Sequence, residues 1–195
     1  LDKIKQAVDV RDGEIMFGLN MVVHKGKTIF VGDTSVHEYP TSEQMAKIAI
    51  STARVVRLFG FDPKVAFVSH STFGQPLTSR TKHIKNAVEI LKKKNVNFEF
   101  DGDMQPDVAL DKEYQSLYPF SKIVGNANIL IMPGQHSAAI SYKMMKTLGD
   151  TKVIGPLLIG LGLPIEIAPL RSSTSEILNL ASIAAYSSDV IDYKK

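Results

Sequence analysis

The sequence predicts an α/β fold in which a mainly parallel sheet is covered by helices on both faces. Three observations carry this reading. Apolar runs of strand length alternate with segments of helical periodicity along most of the 195 residues. The runs at 64–69 and 129–132 are continuously apolar, as strands buried on both faces are. Helix-start signals then follow the polar loops behind these runs, so each crossover returns the chain to a parallel neighbour.

Taken in order, residues 16–23 and 28–31 are β-rich and are joined by a polar connection containing Gly26, which reads as a hairpin. Pro40 leads into Thr41 with Gln44 three residues on, a capping box that opens a helix carrying Met45, Ile48, Ala49, Thr52, Val55, Val56 and Phe59 on one face. Gly60 closes it as the residue after the cap. The strand at 64–69 runs through a polar loop at 70–78 into a second helix with inner face Ile84, Ala87, Val88 and Leu91. A short strand at 98–100 precedes Asp101-Gly-Asp103, which reads as an acidic turn, and a helix is expected at 110–117. The strand at 129–132 breaks at Pro133-Gly134, and a helix from about Ser137 to Leu148 is expected to bury Ile140, Met144, Met145 and Leu148. Short strands at 153–154 and 164–167 are followed by Ser173 and Glu176, a second capping box, and an apolar helix at 177–186. Without a repeat, low-complexity tract or linker, residues 1–195 read as one domain.

Composition narrows the function classes. With 44% hydrophobic and 22% charged residues the chain is of ordinary globular type, and folding at this length buries roughly 70% of the unfolded surface. The absence of cysteine excludes a disulfide scaffold, a thiolate metal site and a cysteine nucleophile, and leans toward a cytoplasmic setting. A net charge of +3 from interspersed residues lacks the basic stripe of a nucleic-acid binder. The longest apolar stretch, 153–167, is broken by glycines and prolines, so no membrane span is expected and the protein should be soluble. The chain begins at Leu1 and reads as a piece of something longer.

In open α/β sheets ligands bind beyond the carboxyl ends of strands. Two loops qualify. The first contributes Ser69, Ser71, Thr72, Gly74, Arg80 and Lys82: hydroxyls, a flexible glycine and two cations where a helix N-terminus favours a phosphate or carboxylate. Its spacing is not that of a Walker loop, and turn and capping chemistry accounts for the same residues. The second loop is Pro133-Gly134-Gln-His136-Ser137, where His136 is a candidate general base or anion contact but stands without an obvious carboxylate and reads first as a surface histidine. The five histidines form no i,i+3 or i,i+4 pair, and Asp101, Asp103 and Asp107 lack the last ligand of a calcium loop, so no metal site is expected.

The ordered series Val31-Gly-Asp-Thr-Ser-Val-His-Glu-Tyr-Pro-Thr41, Val65-Ala-Phe-Val-Ser-His-Ser71, Asp101-Gly-Asp103, Ala127-Asn-Ile-Leu-Ile-Met-Pro133, Ile140-Ser-Tyr-Lys143, Ile154-Gly-Pro-Leu-Leu-Ile-Gly160 and Ile177-Leu-Asn179 resembles the phosphotransacetylase family over nearly the whole chain. Arg11-Asp-Gly-Glu-Ile-Met-Phe-Gly-Leu19 is most similar to the phosphotransacetylase-like C-terminal domain of bacterial NADP-dependent malic enzymes. The resemblance implies a three-layer α/β/α fold of the isocitrate/isopropylmalate dehydrogenase-like type, an acyl-CoA site and a dimer.

The resemblance also exposes departures. The family's Asp-Leu-Ser-Arg-Gly stretch aligns with Ile167-Ala-Pro-Leu-Arg171, which puts Pro169 at its catalytic serine and Leu170 at its catalytic arginine. A further family arginine falls at Thr147 and an acidic residue at Glu176. Leucine, proline and threonine cannot supply the charge that stabilises a developing oxyanion. The reading is therefore a catalytically inactive regulatory domain that binds acetyl-CoA or a related acyl-CoA, with Gly134, Ser137 and Lys143 joining the first loop as contacts. It implies a homodimer or higher homo-oligomer. The malic enzyme catalytic module would lie in the same chain, with NADP and Mg or Mn as cofactors of that parent enzyme and none in this part. The alternatives are an active phosphate acetyl- or butyryltransferase with Arg171 repositioned, and an oligomerisation module without ligand.

Overall fold

The structure, a computed structural model, describes residues 1–190. After a short helix α1 (Asp2–Ala7), the hairpin forms from β1 (Phe17–His24) and β2 (Lys27–Gly32). Then come α2 (Ser42–Leu58), β3 (Lys64–Val68), α3 (Ser79–Lys94), β4 (Glu99–Met104), α4 (Pro106–Leu110) and α5 (Lys112–Ser116). The chain continues through β5 (Ile129–Ile131), α6 (Gln135–Leu148), β6 (Thr151–Ile159), β7 (Ile165–Glu166) and α7 (Thr174–Val190).

Seven strands make one sheet in the order β4-β3-β5-β2-β1-β6-β7. The expectation of a mainly parallel sheet is corrected: it is mixed. The pairs β4–β3, β3–β5 and β5–β2 are parallel, whereas β2–β1, β1–β6 and β6–β7 are antiparallel. A tight hairpin forces β1 to oppose β2, and β6, arriving from α6, takes the free edge of β1 in the opposite sense.

Alternate residues of the central strands feed two cores. Met21, Phe30, Val65, Phe67, Ile129 and Ile131 pack with residues of α2, α3 and Leu180 of α7. Val22, Val31, Ala66, Val68 and Leu130 pack with Val108 and Ala109 of α4 and Ala138 of α6. Burial on both faces explains why these strands read as unbroken apolar runs, and it defines three layers.

The start of α2 follows the predicted capping box: Gln44 N–H donates to Thr41 Oγ1 at 3.2 Å and Thr41 N–H to Gln44 Oε1 at 2.7 Å. Three expectations fail. Asp101-Gly-Asp103 is no turn; it lies inside β4, because Lys122 N–H donates to Asp101 and the Ser71 hydroxyl to Asp103, which supplies from distant segments the partners a turn would provide locally. The helix expected at 110–117 is shorter, Lys112–Ser116, and follows a separate helix at Pro106–Leu110, since Asp111 leaves the helical region and caps the second by accepting from Glu113 N–H at 2.8 Å. And α6 does not bury its large apolar residues: Ile140, Met144 and Leu148 are 58%, 54% and 80% exposed, and Met145 is also exposed. Small Ala138 and half-buried Tyr142 carry the contact with the sheet instead.

Candidate functional site

Because β2, β3, β4 and β5 run parallel or are linked in parallel, their C-terminal ends share one rim. At the end of β2 stands Asp33, buried, accepting from the N–H groups of Gly18, Ser35, Val36 and His37 at 2.8–3.1 Å and lying 2.6 Å from His37 Nδ1. This carboxylate winds residues 33–40 into a fixed loop. The loop reaches α6 through Gln135 N–H, which donates to His37 O at 2.9 Å, and Glu38 Oε1 lies 3.5 Å from His136 Nε2. His136 therefore does face a carboxylate, contrary to expectation. Any side chain at Gly134 would collide with the Glu38 carbonyl oxygen, so glycine is required by close approach.

At the ends of β3 and β4, Ser69 and Ser71 hydroxyls lie 3.2 Å apart and Ser71 donates to Asp103. Thr72 Oγ1 accepts from Gln105 N–H at 3.3 Å. These three residues are buried, so their hydroxyls brace the rim from within. Gly74 turns the loop at φ +81°. Thr78 and Thr81 form a capping box for α3 that sequence reasoning missed, since threonine stands where the motif usually has glutamate or glutamine. On the first turn of α3, Arg80 and Lys82 are exposed, and the Arg80 guanidinium lies 5.6 Å from the Tyr39 ring centre. Tyr39, Pro40, Ser79, Arg80 and Pro133 border one open pocket on this rim.

Ser137 donates to Gly134 O at 2.8 Å, closing the first turn of α6. Lys143 lies about 9 Å further along the helix than Ser137, in a second hollow. Strand β7 covers only Leu157 and Leu158 of β6, so the first half of β6 is a sheet edge. There Tyr142, Lys143 and Lys146 of α6 face Gly155 and Pro156, with Pro169, Ser172 and Glu176 on the other wall. Lys146 Nζ bridges to Glu176 Oε1 at 3.1 Å. The N–H of Ser173, with Lys146 next, holds the exposed Glu176 carboxyl below its ordinary range. Two of the four positions singled out on the family pattern, Pro169 and Glu176, thus converge with Lys143, whereas Leu170 is 107% exposed and Thr147 is exposed outside the lining. Behind Gly155 sits fully buried Asn20, whose Oδ1 would lie 2.6 Å from a Cβ at that glycine. Asn20 Nδ2 has no hydrogen-bond partner among the described residues. Asp33, Asp103, Tyr39 and Asn20 carried no sequence signal beyond their motifs, because their partners are distant in the chain or their burial is tertiary.

Among the described residues no three His, Asp or Glu converge as a metal site. No helix among them is long and apolar enough to cross a membrane.

A layered α/β domain with hydroxyls and cations around a strand-end rim is an architecture for anionic ligands. The profile of the family described as phosphate acetyl/butaryl transferase matches residues 1–185, and the chain belongs to this family. It is 42% identical over 186 residues to an NADP-dependent malic enzyme of Rhizobium meliloti, covering 95% of this chain but 24% of that protein. It is 38% identical to a phosphate acetyltransferase of Clostridium acetobutylicum over 80% of this chain and 47% of that protein. Among solved structures, a phosphotransacetylase from Streptococcus pyogenes superimposes with a TM-score of 0.88 at 30% identity, over 93% of this chain and 56% of the other. The chain thus spans about a quarter of the malic enzyme and about half of the transferases.

Proposed function

We propose that this domain is a catalytically inactive, acyl-CoA-binding regulatory part of an NADP-dependent malic enzyme. One observation supports the reading: in the hollow over the β6 edge, Pro169 stands at the family's serine position and Leu170, at its arginine position, projects into solvent, so neither the family's serine nor its arginine is offered to Lys143. Lys143 and, on the rim, Arg80 and Lys82 are the cations that pair with CoA phosphates, while Tyr142, Pro156 and Leu180 give the pantetheine and acyl chain an apolar wall. Ser69, Ser71, Thr72, Gly74, Gly134 and Ser137 shape the rim that receives them. Binding is coupled to a catalytic module in the same chain, where malate is oxidatively decarboxylated to pyruvate with NADP and Mg or Mn. In this reading those cofactors belong to the catalytic module and not to this domain, whose sequence has no Gly-x-Gly-x-x-Gly fingerprint. The reading includes the isocitrate/isopropylmalate dehydrogenase-like fold type and a cytoplasmic setting.

A coupled assay of acetyl-phosphate formation from acetyl-CoA and phosphate is expected to give no turnover. Turnover would replace this reading with an active phosphate acetyl- or butyryltransferase using Arg171. Arg80→Ala is expected to weaken acetyl-CoA several-fold and flatten its salt dependence; unchanged affinity removes Arg80 from the site.

The exposed stripe Ile140, Met144 and Leu148, spaced by four residues along α6, supports self-association, since soluble monomers rarely leave such a row in water. Met144→Asp is expected to shift the mass measured by analytical ultracentrifugation toward the monomer. An unchanged mass excludes the stripe from the interface.

A further inference from the structure

We propose that the pocket between the first turns of α2 and α3 binds a purine nucleotide, with its base laid on the Tyr39 ring and its phosphate held by Arg80. A free nucleotide and the adenosine end of an acyl-CoA share this chemistry, so the inference does not need the acyl-CoA reading, and competition between the two separates the sources.

The cavity has a volume of about 300 Å³, within the range of small-molecule sites. Buried Met45 and Ile84 form its floor, and the rigid rings of Pro40 and Pro133 stand at its sides. Its wall is fixed before a ligand arrives. A carbonyl can only accept, so His83 Nε2 donates to Pro40 O at 2.8 Å, and the Ser42 hydroxyl donates to His83 O at 2.9 Å; together they tie the start of α2 to α3. Tyr39 and Pro40 end the loop that the Asp33 carboxylate winds, which holds the tyrosine at the mouth. Such pre-organisation lowers the ordering cost of binding.

The mouth offers a ring and a charge. The Tyr39 ring is 70% exposed and has the Arg80 guanidinium 5.6 Å from its centre. An exposed ring stacks a base through its face, and a purine presents the larger face. Arg80 has no carboxylate partner among the described residues, and no Asp or Glu lines the pocket. Glu38, next to Tyr39 in the chain, is turned to His136 at 3.5 Å. The guanidinium is therefore left with charge to place, and its planar fork suits a phosphate. Beside it the Ser79 hydroxyl has no hydrogen-bond partner among the described residues. A base joined to a phosphate answers both features, whereas inorganic phosphate leaves the ring and the prolines unused.

The test is titration calorimetry of the whole chain with AMP near pH 7. AMP is expected to bind saturably, and adenosine about tenfold more weakly because it lacks the anion that Arg80 takes. Arg80→Ala should remove that difference. Tyr39→Phe keeps the ring and should bind AMP within about threefold of the parent, whereas Tyr39→Leu should lose about tenfold. Both side chains are exposed, so these variants leave the fold intact. Displacement of AMP by acetyl-CoA assigns the pocket to the adenosine end of an acyl-CoA, and simultaneous binding assigns it to a free nucleotide. The inference is overturned by absence of AMP binding, by ribose 5-phosphate or CMP binding as tightly as AMP, or by Tyr39→Leu binding AMP like the parent.

Discussion

Asp33→Ala is expected to lower the midpoint of thermal unfolding by roughly 8–15 °C, corresponding to about 3–5 kcal/mol in a domain of this size. The carboxylate is 1% exposed and answers four backbone N–H groups and the His37 ring. Removing it leaves those donors in a space that water enters poorly, and each unsatisfied buried donor costs about 1–3 kcal/mol before relaxation. The loop at 33–40 ties β1, through Gly18, to α6, through Gln135. Losing it should therefore disorder the rim as well as weaken the fold. Asp33→Asn separates these effects. It retains the oxygen that serves Gly18, Ser35 and Val36 but turns an amide toward His37, so its loss should be about half as large. Differential scanning calorimetry reads both; equal midpoints for parent and Asp33→Ala would refute the loop's role.

The second large effect is a dependence on pH from Glu166. Its carboxyl titrates at about 8 in the folded chain because burial disfavours the anion, against about 4.5 when unfolded. Below the unfolded value both states are protonated and stability is complete. As pH rises, the unfolded chain releases the proton first, and stability falls by up to about 1.4 kcal/mol per pH unit until the folded carboxyl also ionises near 8. Glu166→Gln removes this slope. It should match the parent near pH 4 and exceed it by on the order of 2–4 kcal/mol near pH 9, about 5–10 °C in the midpoint. Parallel stability curves for the two proteins would refute the assignment. Glu14 works in the other direction: burial alone would raise it, but hydrogen bonds from Ser51 and Arg54 hold it below its ordinary value, so it favours the fold at neutral pH and loses that contribution in acid.

What could be read from the residues was local. The capping boxes at Thr41–Gln44 and Ser173–Glu176 both form, because each needs only neighbours three residues apart. The inner faces of α2 and α3 were legible from periodicity, and Ile84, Ala87, Val88 and Leu91 are all buried. Periodicity also grouped Ile140, Met144 and Leu148 on one face, but it cannot say what covers that face, and the sheet meets Ala138 instead. Pairing of β6 with β1 joins residues more than 120 apart, so the hairpin was legible and the mixed sheet was not. For the same reason Asp101-Gly-Asp103 looked like a turn: the groups that satisfy it, Ser71 and Lys122 N–H, are about twenty to thirty residues away. Of the candidate site, the cations Arg80, Lys82 and Lys143 are exposed as a ligand-binding role demands, while the hydroxyls of Ser71 and Thr72 face inward. Convergence of Lys143 with Pro169 and Glu176 depends on α7 folding back along the β6 edge, which no local pattern encodes.

The central claim is that this domain keeps the acyl-CoA site of its family while lacking the groups for transfer. Titration calorimetry of the chain with acetyl-CoA tests it most directly. The account predicts saturable binding that weakens with added salt, as phosphate-pairing cations require. Absence of binding in a preparation whose oligomeric mass has been measured would contradict it and leave an association module without ligand.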